Sequence, residues 1–193
     1  VFCMSCSYIW NQLYSDAVVE FTHYDFSLQY SEVFNNFVQR LAGDLIERYG
    51  IRGKTVVDIG CGQGHFLKTI CHLGGNRGIG IDPSYVPDTL AERAEPDLVF
   101  YRDYYSSKYS DLEVDFVTCR HVLDELTDQR GFLGTIRSTL DRRANAVAYF
   151  EVPNPLYTFA NAIIWNVGYA KHSWLTPTAF TCLLESCGFR VLD

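Results

Sequence analysis

Apolar residues recur at helical spacing over one long segment near the start of the chain, from Ser31 to Tyr49. The positions that share this apolar face are Val33, Phe34, Phe37, Val38, Leu41, Leu45 and Ile46. Gly50 follows the segment, and glycine is typical of the residue just beyond a helix. The pattern therefore predicts one amphipathic helix that ends at this glycine.

Shorter segments further along the chain carry the same kind of signal. They predict helices over 65–75, 91–95, 128–140 and 176–189. In the last of these helices Thr176 is the expected N-cap, Pro177 takes the first helical position, and Gly188 marks the end.

Runs of β-forming, apolar residues alternate with these helices. They predict strands over 54–60, 77–82, 97–103, 114–120 and 145–152, and the start of a sixth strand over 190–193. Several runs are almost wholly apolar, which indicates parallel strands that are buried on both faces. We therefore expect an α/β fold with a mostly parallel sheet and helices on both faces. In such sheets, ligands bind beyond the carboxyl ends of the strands, near the topological switch point.

Composition narrows the class of protein. The chain has 193 residues, of which 48% are hydrophobic and 20% charged, as expected of one globular domain with a sizeable core. The formal net charge is −7 and no run of lysine or arginine occurs, which argues against nucleic acid as the main partner. Seven cysteines, an odd number, lie partly inside apolar runs and indicate a reducing, cytoplasmic compartment. We expect no signal peptide.

A long stretch without charge raises the question of a membrane span. Residues 152–170 carry no charged side chain, but they include Pro153, Pro155 and three asparagines. A helix that crosses a bilayer disfavours this composition, so we interpret the stretch as a buried or site-lining segment and expect no membrane partner. The sequence Asn-Pro-Leu-Tyr at 154–157 is predicted to form a turn that lines a pocket.

The densest chemical signal is a glycine-rich turn after the first run of β-formers in the predicted sheet. It reads Asp-Ile-Gly-Cys-Gly-Gln-Gly from Asp58 to Gly64. Each glycine costs backbone entropy, so the turn either needs left-handed backbone or lets a ligand approach closely. A dinucleotide-binding loop would place its third glycine or alanine where His65 stands. This residue disfavours NAD or FAD, and an NAD(P)-dependent enzyme is kept as the alternative.

The spacing D-x-G-x-G-x-G resembles motif I of the class I S-adenosylmethionine-dependent methyltransferases. In that family the glycine loop, here Gly60, Cys61, Gly62 and Gly64, lies under the methionine and ribose parts of the cofactor. The resemblance implies that Asp58 helps to place the ammonium group of the cofactor. It also implies a Rossmann-like fold and S-adenosyl-L-methionine as the cofactor.

The same resemblance points to residues at the ends of later strands. Asp82, with Pro83 beside it, matches the acid that binds the ribose hydroxyls, and hydrogen bonds to a carboxylate are strong. Asp103 matches the acid that accepts a hydrogen bond from the adenine amino group. Tyr104 is placed to stack on the adenine ring.

The segments after the fourth and fifth predicted sheet strands are expected to face the reacting methyl group. Cys119 and Arg120 are expected to contact the cofactor. His172 is the first candidate for a general base and His121 the second, because an imidazole accepts a proton at neutral pH. A base is needed only if the acceptor must lose a proton. His65 and His72, which lie in the predicted helix 65–75, are interpreted as structural.

The order of several motifs narrows the resemblance to a subgroup that includes the sugar C-methyltransferases of deoxysugar pathways. These motifs are CRHVLDEL at 119–126, YFEVPN at 149–154 and AKHSWLTPTAF at 170–180. That subgroup carries an N-terminal zinc module with two C-x-x-C pairs. The present chain has one such pair, Cys3 and Cys6, and structural zinc requires four ligands, so we expect no metal.

Two positions depart from the subgroup pattern. Glu125 stands where a second histidine is common, and Lys171 stands where glutamate is common. Both departures remove residues that could act as bases, so the methylated atom stays open among carbon, oxygen and nitrogen.

We expect residues 1–30 to be a remnant of the zinc-binding module. Residues 31–193 are expected to form the S-adenosylmethionine-binding methyltransferase domain, incomplete at its C-terminal end. The predicted function is methyl transfer to a small-molecule acceptor such as a sugar nucleotide, and a member that binds the cofactor without methylating is the remaining alternative. A tyrosine before the first long helix, Tyr24 or Tyr30, is expected to close over the cofactor.

Overall fold

A computed structural model describes residues 1–22, 30–87, 95, 97–167 and 171–193. The chain divides into two compact units. The first, which we call the ribbon unit, comprises Val1–Glu20, His121–Ser138 and Glu151–Asp193. The second, which we call the sheet unit, comprises Phe21–Arg120 and Thr139–Phe150.

The regular elements of the described residues are as follows. The strands are β1 (Tyr8–Trp10), β2 (Thr55–Ile59), β3 (Arg77–Ile81), β4 (Leu98–Tyr101), β5 (Phe116–Arg120), β6 (Val147–Glu151) and β7 (Ser173–Leu175). The α-helices are α1 (Glu32–Tyr49), α2 (His65–Gly74), α3 (Gln129–Leu140), α4 (Pro155–Ala160) and α5 (Pro177–Ser186).

Five strands form the sheet in the order β4-β3-β2-β5-β6. β2 pairs in parallel with β3 on one side and with β5 on the other, and β3 pairs in parallel with β4. The chain reverses its direction of travel across the sheet after β4, which places the topological switch point between β2 and β5. The predicted α/β fold with a mostly parallel sheet is confirmed.

The long first helix, α1, forms as predicted because both of its ends are satisfied locally. The Ser31 side chain accepts a hydrogen bond from the Phe34 N–H at the start, and Gly50 takes a left-handed conformation with φ of +64° at the end. The helix buries Val38 and Ile46 in a core that also includes residues of α2, β2 and β5. The hydrophobic core of the sheet unit therefore anchors the strand that precedes the glycine-rich turn.

The ribbon unit contains a two-stranded antiparallel sheet that the sequence did not predict. β1 pairs with β7, with Tyr8 opposite Leu175 and Trp10 opposite Ser173. Gln129, at the start of α3, donates to the Leu123 carbonyl and the Ser173 hydroxyl, both at 2.7 Å. Three-residue strands give no hydrophobic period long enough to be recognised.

The predicted sixth strand over 190–193 is wrong. These residues form no strand in the described structure, and the side chains of Val191 and Leu192 are exposed. A strand forms only where its backbone is hydrogen-bonded to a neighbouring strand. The apolar residues of this segment do not by themselves provide such a neighbour.

The uncharged segment is less buried than expected over its described part, 152–167. Its exposed large apolar side chains are Leu156, Tyr157, Phe159, Ile164, Trp165 and Val167. The predicted turn at 154–157 begins α4 instead, because the Asn154 side chain caps the Leu156 N–H at 3.0 Å and Pro155 takes the first helical position. No helix in the described ranges is long and apolar enough to cross a membrane.

Two predictions fall on residues that the structure does not describe. They are the helix at 91–95, of which only residue 95 is described, and Tyr24. Tyr30, the other tyrosine expected to close over the cofactor, is exposed.

Gly80 in β3 offers a test of packing beneath the turn. A Cβ at this position would lie 2.5 Å from Phe100 Cδ1 and 2.8 Å from Cys61 Sγ. We expect Gly80→Ala to lower the free energy of unfolding by about 1–3 kcal/mol through overpacking. Gly134→Ala in α3 is the matched control, since a Cβ there meets no atom within 4 Å and should stabilise the helix by about 0.5–1 kcal/mol. Thermal unfolding followed by circular dichroism checks both, and equal transition temperatures would contradict the packing assignment.

Candidate functional site

The glycine-rich turn connects β2 to α2 through left-handed backbone. Gly60, Gly62 and Gly64 have φ of +72°, +55° and +79°. A Cβ on Gly62 would meet no atom within 4 Å, so this glycine serves the turn and leaves open space above it. A Cβ on Gly64 would collide with the ring of Phe100. The glycines thus permit both the sharp turn and the close packing of β4 beneath it.

The carboxylate of Asp82 holds this turn in place. It follows β3 and is 8% exposed. Its Oδ2 accepts from the Gly62 N–H at 2.7 Å, and its Oδ1 accepts from the Ser84 N–H at 2.7 Å and the Ser84 hydroxyl at 2.6 Å. A second link joins the Gly60 N–H to the Ile81 carbonyl at 2.8 Å. Pro83, next to Asp82, is half-buried, and its carbonyl accepts from Arg102 at 3.3 Å.

Asp58 adds a second buried carboxylate near the turn. It lies opposite Thr118 in the pairing of β2 with β5, and its Oδ1 accepts from the Thr118 hydroxyl at 2.6 Å. Burial raises the pKa of the Cys61 thiol well above its ordinary value, and the carboxylates of Asp58 and Asp82 raise it further. The Cys61 thiol is therefore neutral, and both carboxylates lie close enough to affect its pKa.

Asp103 lies beside Asp82 but has partners of its own. Its backbone N–H donates to the Asp82 carbonyl at 3.2 Å. Its carboxylate pairs with Lys108 and accepts from the Tyr109 hydroxyl at 2.8 Å, and these two contacts lower the pKa of Asp103. The exposed Tyr104 donates its N–H to Asp103 Oδ1 at 2.8 Å. The structure thus brings the two predicted nucleoside-binding acids together, with the Asp103 carboxylate engaged by Lys108.

The end of β5 contributes a positive charge to the first turn of α2. Cys119 is buried, and the Arg120 guanidinium lies over the Phe66 ring at 4.5 Å from the centroid. Burial lowers the pKa of His65, and the nearby charges of Arg120 and Lys68 lower it further. His65 Nε2 is buried and has no hydrogen-bond partner among the described residues.

Of the two predicted base candidates, His121 has a carboxylate partner. It follows β5, and its Nε2 lies 2.8 Å from Glu151 Oε1. Its backbone N–H donates to the Glu151 carbonyl, also at 2.8 Å, and its φ is +57°. The imidazole is half-exposed. The sequence did not single out Glu151, because its pairing with His121 depends on which strands lie side by side in the sheet.

His172, the other base candidate, is more enclosed. Its ring packs edge-on against Tyr14 at 5.4 Å, and its Nδ1 is buried without a partner among the described residues. Next to it, Lys171 forms an ion pair with Asp124, and both side chains are buried. Glu125 accepts a hydrogen bond from the Tyr14 hydroxyl through its carbonyl at 2.9 Å. The Lys171 side chain is therefore part of a structural contact within the ribbon unit, whereas the contact at Glu125 is made by its backbone carbonyl.

The described residues contain no group of three or more histidine, cysteine, aspartate or glutamate side chains that could hold a metal ion. All seven cysteines are free thiols, including Cys3 and Cys6.

The chain is similar in sequence to one protein family. A family model described as "Methyltransferase domain" matches residues 34–193. A comparison with curated protein sequences gives no match.

Several solved structures share the fold. A SAM-dependent methyltransferase from Archaeoglobus fulgidus is 23% identical, with a TM-score of 0.58, and the match covers 86% of this chain and 75% of that one. The Burkholderia thailandensis 1,6-didemethyltoxoflavin-N1-methyltransferase, solved with bound 1,6-didemethyltoxoflavin and S-adenosylhomocysteine, is 17% identical over 93% and 84% of the two chains, with a TM-score of 0.59. A Haloferax volcanii protein solved with the methyltransferase activator Trm112 is 19% identical over 83% and 77%, with a TM-score of 0.58.

The raised pKa values of the Cys61 and Cys71 thiols can be tested by their reactivity. Burial raises the pKa of Cys71 to about 12, and the nearby carboxylates contribute. At pH 8 its reactive thiolate fraction is then on the order of 10⁻⁴. We expect iodoacetamide to modify the exposed Cys182 at least about a hundredfold faster than Cys71 or Cys61. Peptide mass spectrometry over a time course measures the rates, with guanidinium-unfolded protein as the control. Fast labelling of Cys61 in the folded protein would contradict the raised pKa of its thiol.

Proposed function

The chain belongs to the methyltransferase family whose domain model matches residues 34–193, and from this premise we propose that it transfers a methyl group from S-adenosyl-L-methionine to a small-molecule acceptor. The observation that carries the cofactor assignment is the buried Asp82 carboxylate bonded to the Gly62 N–H within the glycine turn.

The donor set of the turn fits this cofactor. A carboxylate has about four acceptor positions, and the protein donors at Asp82 occupy three of them, which leaves one on Oδ2 for a ribose hydroxyl. A second ribose hydroxyl would take the place of the Ser84 hydroxyl on Oδ1. The open space above Gly62 and the negative charges of Asp58 and Asp82 suit a cationic ligand.

The residues around the turn have different roles in the proposed function. Asp82 would hold the ribose, Asp58 would stabilise the ammonium group, and Arg120 offers a guanidinium for the cofactor carboxylate. When bound, the cofactor supplies an electrophilic methyl group on a positively charged sulfur. The chain's contribution is to fix the orientation of the reactants, and orientation alone reaches effective molarities of roughly 10⁵ M or more.

A dinucleotide fits the turn less well. A pyrophosphate would meet the two carboxylates near Cys61, and like charges in a partly buried site repel strongly. His65 also occupies the position where a dinucleotide loop needs a small residue for close packing of helix and strand.

The acceptor is proposed to be a small molecule. The net charge of −7 supports this choice over nucleic acid. The methyltransferase from Burkholderia thailandensis, whose fold this chain shares, was solved with bound 1,6-didemethyltoxoflavin. A sugar-nucleotide acceptor follows from the motif resemblance described above, and a reducing, cytoplasmic setting is supported by seven free thiols.

Replacement of Asp82 tests the cofactor site. We expect Asp82→Asn to weaken binding of S-adenosylhomocysteine about 10- to 100-fold, because a hydrogen bond to a charged group contributes roughly 1.5–3 kcal/mol. Isothermal titration calorimetry measures the affinity, and thermal unfolding verifies that the variant is folded. Ser84→Ala is the matched control, since it removes one donor to Asp82 Oδ1 and should leave the affinity within about threefold. Unchanged affinity in folded Asp82→Asn would contradict the site.

A thermal-shift comparison separates the two cofactor classes. A ligand that binds the folded state at 100 times its Kd stabilises it by about 2.7 kcal/mol. For a chain of this size that amounts to a rise in Tm of about 5–10 °C. We expect such a rise with S-adenosylhomocysteine and none with NAD or NADP at equal concentration. Preferential stabilisation by NAD would overturn the proposed cofactor.

A further inference from the structure

We propose that His121 is the general base of the reaction and that Glu151 is the positioning residue that holds its imidazole. The inference rests on the proposed function, because it assigns a role in methyl transfer. It also restricts the acceptor to molecules that lose a proton, namely hydroxyl groups or acidic carbons.

Two hydrogen bonds fix His121 against Glu151. The Glu151 carbonyl accepts from the His121 backbone N–H at 2.8 Å, and Glu151 Oε1 lies 2.8 Å from the imidazole Nε2. A carboxylate only accepts, so Nε2 carries the hydrogen in this contact. The neutral imidazole then has its lone pair on Nδ1, and this nitrogen is the one that can take a proton.

The backbone of His121 is held in an unfavourable conformation. Its φ of +57° lies in the left-handed region that residues with a Cβ seldom adopt. Such residues persist where the surroundings over-determine them, and they cluster at functional sites. Here the surroundings are the two Glu151 contacts, so the same residue fixes both the backbone and the ring.

The position of the pair in the topology agrees with a catalytic role. His121 directly follows β5, and Glu151 is the last residue of β6, the next strand in the sheet order. Ligands of open parallel sheets bind beyond the carboxyl ends of the strands. A half-exposed imidazole at this place is accessible to an acceptor.

Two other ionisable groups of the ribbon unit, His172 and Asp124, lie in a different setting. His172 Nδ1 is buried, and no described residue pairs with it. The Asp124 carboxylate is buried in its ion pair with Lys171. Among these groups, His121 combines an oriented ring with access to solvent.

The proton balance of the step is simple. The acceptor O–H or C–H gives its proton to His121 Nδ1, while the electron pair of that bond forms the new bond to the methyl carbon. The pair of the broken carbon–sulfur bond stays on sulfur. The imidazolium that results is stabilised by the Glu151 carboxylate and then releases the proton to water. An acceptor with a free lone pair, such as a tertiary amine, needs no such base.

The first test reads the tautomer of His121 without any acceptor. In ¹⁵N-histidine-labelled full chain at pH 8, long-range ¹H–¹⁵N spectra should show the His121 ring as the Nε2–H tautomer, assigned by its absence in His121→Asn. Glu151→Gln should lose this fixed tautomer. Glu95→Gln is the matched control, because Glu95 lies 3.1 Å from the Nε2 of the exposed His72, outside the proposed machinery. A native His121 in the Nδ1–H form, or no change in Glu151→Gln, would overturn the proposal.

Calorimetry on the same samples distinguishes this failure from failure of the proposed function. We expect S-adenosylhomocysteine to bind native protein and Glu151→Gln with affinities within about threefold of each other. Failure of native protein to bind it would defeat the cofactor assignment, whereas intact binding with the wrong tautomer defeats the His121–Glu151 pair alone.

The second test reads catalysis by release of S-adenosylhomocysteine from a panel of acceptors. Catechol and ethyl acetoacetate represent acceptors that lose a proton, and N,N-dimethylaniline represents those that do not. We expect His121→Asn to reduce kcat for the first class about 10²- to 10⁴-fold with little change in KM. Glu151→Gln should reduce kcat less and shift the pH profile, and Glu95→Gln should leave both unchanged. Methylation of a proton-losing acceptor that is insensitive to His121→Asn would overturn the role of His121.

Discussion

The hydrogen bond from the Gly62 N–H to the Asp82 carboxylate is the constraint on which the shape of the glycine-rich turn, the proposed cofactor site, depends. A turn of three left-handed glycines has no side chains to hold its shape, so its backbone groups must be fixed from outside. Asp82 does this from the end of the neighbouring strand, and Phe100 supports the turn from below. The parallel register of β2 and β3 therefore sets the geometry of the loop.

Most of the fold was accessible from the sequence because its elements are long or strongly patterned. α1 repeats apolar residues over 18 positions, and the core strands are nearly continuous apolar runs. The elements that sequence reasoning missed or misjudged are short. β1 and β7 have three residues each and exist through pairing with each other, 163 residues apart at Trp10 and Ser173. Segment 190–193 shows the reverse case, in which strand-forming residues have no pairing among the described residues.

The residues of the candidate site were likewise predictable from the sequence only in part. Asp58, Asp82 and Asp103 lie at or near strand ends that the chain order alone can place. The structure bonds Asp82 to the turn and the Asp103 backbone to Asp82. The partners of these acids could not be predicted from the sequence, because the contacts of Asp103 with Lys108 and of Asp82 with Ser84 depend on local loop conformation. Glu151 was missed for a different reason. Its meaning comes from the neighbouring strand, and no spacing in the sequence records which strands are adjacent.

Under the proposed role of His121, its left-handed backbone sets folding stability against catalytic activity. Glycine at this position would relax the chain at the expense of the imidazole, so the protein gives up roughly 1 kcal/mol or more of stability to keep the ring. Laboratory selection for thermal stability alone would favour replacement of His121 by glycine. If the proposed roles hold, a stabilised variant with glycine at 121 would still bind the nucleoside at Asp82 and would lose turnover.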